Sequence, residues 1–326
     1  MNLNEAIVAT AKKQKECRLA FLKYLFLGIL FIIALAVGGG FAVGHLFENR
    51  LAPLFFIIIY IPFFQAALMA NRGRVTSELG DYKAFYKDVF VRAAIREVDS
   101  NFSYDPFAGI SRKEFCKISI YSPDEFRAED QISGIYKGVK FNLSEAIRIP
   151  NGATLELSDS AALNLLSAIV FAWEAMKDMQ AFSGSVLVCE FYKKFSGQTI
   201  VASRTLNTRF LGEKEQMDDL FFSKEFRVFA DDKVEARYLL TPAFMQRLRE
   251  LKEKFAGKMG VSVAFMDDKL YLFLNGAKNK FETMLFSPPP SLGNAAGIKK
   301  EISELLSIID ELNLNPDLSE AAILAD

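Results

Sequence analysis

Two runs without a charged side chain, separated by six residues, constrain this chain more than anything else in it. The first is Tyr24 to Gly44 and the second is Leu51 to Asn71, each 21 residues long. At a helical rise of about 1.5 Å per residue, such a run measures about 31 Å, the thickness of the hydrocarbon core of a bilayer. His45 to Arg50 cannot form a domain between them, so the pair reads as an antiparallel transmembrane helical hairpin with spans at about 24–44 and 51–71. Two buried helices of a soluble protein are the alternative, and adjacent uncharged runs of this length argue against it. A cleaved signal peptide fits no better, because more than 20 residues precede the first run and a second follows at once.

The flanks set an orientation. Lys12, Lys13, Lys15, Arg18 and Lys23 precede the first run, Arg72 and Arg74 follow the second, and the loop carries only Arg50 beside Glu48. The positive-inside rule then puts both termini, and everything after residue 71, in the cytoplasm of a cell whose plasma (inner) membrane holds the chain. Cys17, Cys116 and Cys189 are odd in number and widely spaced, with no disulfide framework. Pro53 fits the first turn of the second span, and Pro62 predicts a kink in it. Gly40 and Gly44 form a small-xxx-small pair; self-association through this face is one reading, and the general abundance of glycine in membrane helices is the other. Residues 1–20 predict a basic amphipathic helix with Leu3, Ile7, Ala11 and Leu19 near one face. It either lies on an anionic leaflet or serves as a positive-inside anchor.

Beyond the hairpin the pattern changes. Val75, Leu79, Tyr82, Tyr86, Val89 and Ala93 repeat at three and four residues, predicting a linking helix within 73–100. Asn101 to Gly109 reads as a loop, Ser111 with Glu114 as a capping box, and Ser122 to Glu125 as another helix start. Val139, Phe141 and Leu143 alternate with Lys140 and Asn142, the mark of a half-buried strand, and 153–157 reads as a short strand. Residues 159–181 include 14 without charge, from Ser160 to Trp173, too few to span, and predict a buried or interface-lying helix. Ser185–Tyr192 and Gln198–Ser203 read as a hairpin around Lys193 and Lys194, and Val234–Leu240 as a strand. Thr241-Pro242 starts a helix that ends before Gly257, and Val261–Phe265 with Leu270–Leu274 reads as a hairpin turning at Asp267-Asp268. After Pro288-Pro289-Pro290, Ile298, Ile302, Leu305, Ile309 and Leu312 predict a C-terminal amphipathic helix within 287–326. The order lacks regular strand–helix alternation. It predicts an α+β fold over 101–286, with a largely antiparallel sheet and packed helices.

The composition removes many chemistries. His45 is the one histidine, and the hairpin loop holds it away from the domain, so no nucleophile–His pair can form there. No Cys/His spacing supports zinc, and no phosphate-loop or dinucleotide glycine motif is present. No cofactor or metal is implied. With 39 Lys+Arg against 40 Asp+Glu, the net charge of −1 gives nucleic acid no bulk attraction. The acidic pairs Asp218-Asp219, Asp231-Asp232 and Asp267-Asp268 are either turn and cap residues or a carboxylate site. Lys193 and Lys194 are either a solvated tip or a contact for anionic lipid or phosphate.

One stretch is more specific. Phe182-Ser-Gly184, then Phe191-Tyr-Lys-Lys-Phe-Ser-Gly197-Gln-Thr199-Ile-Val201, then Phe226-Arg-Val-Phe-Ala-Asp-Asp232-Lys-Val-Glu-Ala-Arg237-Tyr238-Leu-Leu-Thr241-Pro242 resembles a bacterial membrane protein family catalogued as domain of unknown function 3137. Tyr136 to Phe141 with Ser144-Glu145 fits its earlier segment, and two spans ahead of the domain fit its layout. The resemblance covers most of 75–285, carries no activity and transfers no catalytic residue. It implies a partner of the LemA family of membrane proteins, beside which members are often encoded. Read physically, Asp231, Asp232, Glu235, Arg237 and Tyr238 are the binding candidates. A structural ion pair from Arg237 to Asp231, Asp232 or Glu235 is the plain alternative to a ligand-reading arginine.

The sequence therefore predicts a membrane-anchored cytoplasmic binding or scaffold module, in contact with the bilayer and a protein partner, or an accessory subunit of a membrane assembly. The competing class is an enzyme that acts on a membrane-proximal substrate through carboxylate, Arg and Tyr side chains. Convergence of Asp231, Asp232, Glu235 and Arg237 in a cavity would favour the enzyme; open turns would favour the module.

Overall fold

The computed structural model describes residues 1–46, 73, 76–118, 120–121, 125–149, 182–191, 194–204, 206, 211, 214–255, 260–276 and 281–312. The chain divides into two compact units, Met1–Ala94 with Phe281–Ile298, and Ile95–Lys280 with Lys299–Asp326.

In the first unit, helix α1 runs unbroken from Leu3 to Leu46 and takes in the whole first uncharged run, with His45 still helical where the sequence predicts a loop. Leu25, Phe26, Leu27, Ile29 and Leu30 are all exposed, by 46 to 64 %. Among the described residues no helix is long and apolar enough to cross a membrane. The second run, 51–71, lies outside the described residues, as do the side chains of 31–33 and 35–46. Helix α2, residues 76–96, contains a π turn at Tyr86–Val91. Cys17, Tyr82 and Leu285 form a small core, with Phe21 and Leu79 packed against it.

The buried face of α1 differs from the predicted one. Ala6, Thr10, Gln14 and Cys17 are buried, whereas Leu19 is 59 % exposed. The cause is the segment before Pro288, whose carbonyls lie outside any helix or sheet. Gln14 Nε2 donates to the carbonyls of Leu285 at 3.0 Å and Ser287 at 2.9 Å. Arg18 Nε donates to Leu285 O at 2.6 Å, and its guanidinium also reaches Ser287 O. An unpaired buried carbonyl costs more than a small aliphatic face gains, so the polar stripe turns inward.

In the second unit the described residues form nine strands in one sheet. They are β1 (Ser103–Asp105), β2 (Glu125–Tyr136), β3 (Val139–Ile149), β4 (Ser183–Glu190), β5 (Thr199–Ser203), β6 (Lys214–Glu215), β7 (Phe226–Ala230), β8 (Val261–Met266) and β9 (Lys269–Asn275). The order is β1-β2-β3-β4-β9-β8-β5-β7-β6, and every pairing is antiparallel. Helices α3 (Arg112–Lys117), α4 (Leu220–Glu225), α5 (Lys233–Leu239) and α6 (Pro242–Phe255) accompany it, and α7 spans Leu292–Glu311. This is the expected α+β fold with a large antiparallel sheet.

Three local expectations are corrected. β4 and β5 do not form a hairpin, because the β9–β8 pair lies between them. Every residue of β8 is buried, and so is all of β9 after Lys269, so neither strand tolerates an edge position. Gly184 admits the insertion: a Cβ there would sit 2.0 Å from the carbonyl oxygen of Leu274 on β9. Glu125 opens β2 rather than a helix, since it pairs with Ile149 of β3. Within the predicted loop 101–109, Ser103–Asp105 adds an edge strand to β2. Half of the predicted capping box is present: Ser111 Oγ accepts from Glu114 N at 3.1 Å, while the Glu114 carboxylate turns to Lys269 and Tyr271 instead of the Ser111 amide. One core cluster gathers Phe115, Tyr121, Phe182 and Phe273, with ring centroids 4.9 to 5.8 Å apart. The predicted strand 153–157, helix 159–181 and the end of α6 at Gly257 lie outside the described residues.

Candidate functional site

The motif around Asp231 closes one end of β5 and β7. Asp231 N donates to Gln198 O at 3.0 Å, and its carboxylate accepts from Gln198 N at 2.8 Å, extending the ladder by one step. Gly197 is required there, because an added Cβ would lie 2.8 Å from Asp231 Cβ. Asp232 then caps α5, accepting from Val234 N at 2.8 Å and Glu235 N at 3.0 Å. Those amides, that of Glu235 first, hold its carboxyl below the usual range. Glu235 accepts from Ser196 N at 3.1 Å and Ser196 Oγ at 3.0 Å, which ties α5 to the loop before β5.

Glu235, Arg237 and Tyr238 lie on helix α5, not on the predicted strand. Val234, Ala236, Tyr238 and Leu240 imitate alternation, but the cap and the burial of Ala236, Leu239 and Leu240 follow a helical turn. Arg237 pairs with none of the three carboxylates predicted for it. It reaches Glu215 of β6 at 3.2 Å, and Lys233 reaches the same carboxylate at 3.3 Å. The two cations, Lys233 first, pull the Glu215 carboxyl below its ordinary range. Tyr238 is 54 % exposed. The candidates are thus brought to one surface, where Asp231, Asp232 and Glu235 are engaged by backbone and Ser196, and Arg237 by Glu215.

The other acidic pairs also meet local needs. Asp219 caps α4, accepting from Phe221 N and Phe222 N at 2.8 and 3.0 Å. Asp267 turns β8 into β9 at φ 58° and pairs with Lys117 at 2.7 Å. Among the described residues no group of three or more His, Cys, Asp or Glu is placed to hold a metal ion. Lys194 is exposed; Lys193, Trp173 and the surroundings of Gly40 and Gly44 lie outside the described residues.

A cleft of about 540 Å³ opens elsewhere, over β1–β4 and α3. Gln131 and Ser133 of β2 and Asn142 and Ser144 of β3 form its floor, with none of the five motif candidates in its lining. Its rim carries two closed ion pairs, Lys140–Glu190 at 2.7 Å and Lys269–Glu114 at 3.0 Å. Tyr271 also donates to Glu114, at 3.0 Å. Burial and then this neighbouring carboxylate push the Tyr271 phenol far above its ordinary value. Ser144 Oγ accepts from Ile110 N, whereas Gln131, Ser133 and Asn142 make no side-chain hydrogen bond among the described residues. The cleft was legible only as Lys140 and Asn142 alternating with Val139 and Phe141, a pattern that a plain solvated strand shares.

No curated protein matches the chain. Among solved structures it is similar to the mycobacterial trehalose monomycolate transport factor A, TtfA, at 8 % identity and a TM-score of 0.31, over 67 % of this chain and 94 % of that one. A superposition that loose carries no argument about function. Tyr136–Phe141 and Ser144-Glu145 fall ahead of the stretch that a family model does match, and the C-terminal helix α7 falls inside it. That stretch is residues 180–314, which contains the whole run from Phe182 to Pro242, and it matches the model of the family described as protein of unknown function DUF3137.

Proposed function

We propose that this protein is a membrane-anchored binding module, held at the inner face of a plasma membrane by the two uncharged runs, with its α+β unit as the binding part. The observation that carries the reading is the exposure of Leu25, Phe26, Leu27, Ile29 and Leu30 in consecutive turns of α1. Successive helical residues are turned by about 100°, so these side chains cover an arc of about 200° around the axis, and the uncharged run Tyr24–Gly44 puts no charge on the rest of it. A helix apolar all round has its stable place inside a protein or in lipid.

Two further facts support a hairpin. Cys17 and Tyr82 share one core, and the residue midway between them is about residue 50. Two antiparallel helices in that register meet near residue 50, just beyond the end of α1 at Leu46. The cations before residue 24 and after residue 71 then share one side of the bilayer, the cytoplasmic side by their excess of Lys and Arg. Packing of a second copy, or of another membrane protein, on Gly40 and Gly44 belongs to the same reading.

The test is extraction of native membranes with alkaline carbonate, together with reporters fused after Asp326. The expected result is that the chain stays in the pellet, that a fluorescent fusion is bright and that an export-dependent phosphatase fusion is inactive. A chain released to the supernatant, or an active phosphatase fusion, overturns the reading.

A further inference from the structure

The cleft over β1–β4 is built by a device that a merely solvated sheet face does not need. Between Glu129 and Ile132 the register of β2 against β3 slips by one residue: Glu129 lies opposite Glu145, but Ile132 lies opposite Leu143. A one-residue slip transfers every later side chain of a strand to the other face. It is the slip that puts Gln131, Ser133 and Ile135 over the cleft and sends Ile132, fully buried, to the opposite side. The bulge is held by Asp130, itself fully buried and at φ 58°, whose carboxylate accepts from Tyr104 OH at 2.5 Å. A left-handed aspartate buried in a bulge is a costly arrangement, and bulges of this kind re-aim side chains beside functional sites.

The chemistry of the cleft is specific. Its four charged side chains are two Lys and two Glu, already closed on one another, so an ion entering would have to break a pair and would meet a like charge. What the floor offers instead is the neutral amides of Gln131 and Asn142 and the hydroxyl of Ser133. Ile135, 64 % exposed, adds an apolar patch beside them. Neutral donors and acceptors next to an aliphatic surface match a ring that bears hydroxyl groups on its edge and C–H groups on its face. We propose that this cleft binds an uncharged, hydroxyl-rich group of sugar-ring size, either a free saccharide or the headgroup of a glycolipid. The volume is in the usual range for small-ligand sites.

The proposal does not rest on the membrane anchor; if carbonate releases the chain, the same titration runs in buffer. Otherwise the full chain is titrated in lipid nanodiscs, free of glycosidic detergent, with maltose as probe, read by saturation-transfer NMR and calorimetry. Inorganic phosphate is the charged competitor, and glucosyl diacylglycerol in the disc is the lipid-borne competitor. The expected result is maltose binding in the millimolar range, weakened about tenfold by Asn142→Ala and by Gln131→Ala, the loss of one or two hydrogen bonds. Both variants lie on the open sheet face and should melt like the parent. Displacement of maltose by the glycolipid supports the site and assigns it to a headgroup; a glycolipid that leaves maltose bound supports a free saccharide. The proposal is overturned if maltose does not bind, if both variants bind it as the parent does, or if phosphate displaces it.

Discussion

Asp219 and Asp232 show how single carboxylates start helices too short to sustain themselves. α4 has six residues and α5 has seven, so the amides at their starts are a large share of their backbone donors. Asp219→Ala should lower stability by about 1 kcal/mol, read as a shift in denaturant midpoint at unchanged slope, and Asp219→Asn by much less. Asp232 adds a pH dependence. Its folded carboxyl titrates below the unfolded value of about 3.9, so its stabilisation is complete above that pH and fades as pH falls through the folded pKa. Asp232→Asn keeps the cap and loses the charge. The gap in Tm between parent and variant should therefore narrow from neutral pH to about pH 3. Cys189 is buried, which pushes its thiol up to about 12. A maleimide applied to the native protein at neutral pH should spare Cys189, react at the half-buried Cys116, and reach Cys189 only on unfolding.

At the scale of elements, the β2 bulge and the β8–β9 hairpin decide what the sheet exposes. The hydroxyl of Tyr104 is a buried partner of Asp130, so Tyr104→Phe should cost about 1–3 kcal/mol and speed amide exchange in β1 and β2, measured by hydrogen–deuterium exchange. The bulge was not legible. Gln131 to Leu143 reads as alternation whether or not one residue is inserted, because only pairing with a second strand reveals a register. The β8–β9 hairpin was legible as two apolar runs around Asp267-Asp268. Its insertion between β4 and β5 was not, because strand order depends on which strands can be buried on both faces. α5 was misread for the opposite reason: seven residues give two helical turns, too few to separate a period of 3.6 from one of 2.

The whole molecule carries almost no net charge, and the two uncharged runs are apolar. On the proposed reading, attachment to a membrane through these runs is an effect of buried apolar area, which salt does not weaken. Raising ionic strength to about 1 M, where the screening length is about 3 Å, should leave the membrane-bound fraction unchanged in a flotation assay. Release by salt would instead mark attachment through the lysines of residues 1–20, electrostatically and at the surface.

Composition and order alone determined that the α+β unit holds no histidine, that uncharged runs come first and that an antiparallel α+β unit follows. These are consequences of which side chains exist and of local period. Tertiary structure alone decided which face of α1 is buried, where Arg237 finds its carboxylate, and that Gln131, Ser133 and Asn142 share one cleft. Each of those depends on a partner distant in the chain: the carbonyls of Leu285 and Ser287, Glu215 on β6, and the slipped register between β2 and β3. Local pattern says which faces a segment can present, and only the partner selects among them.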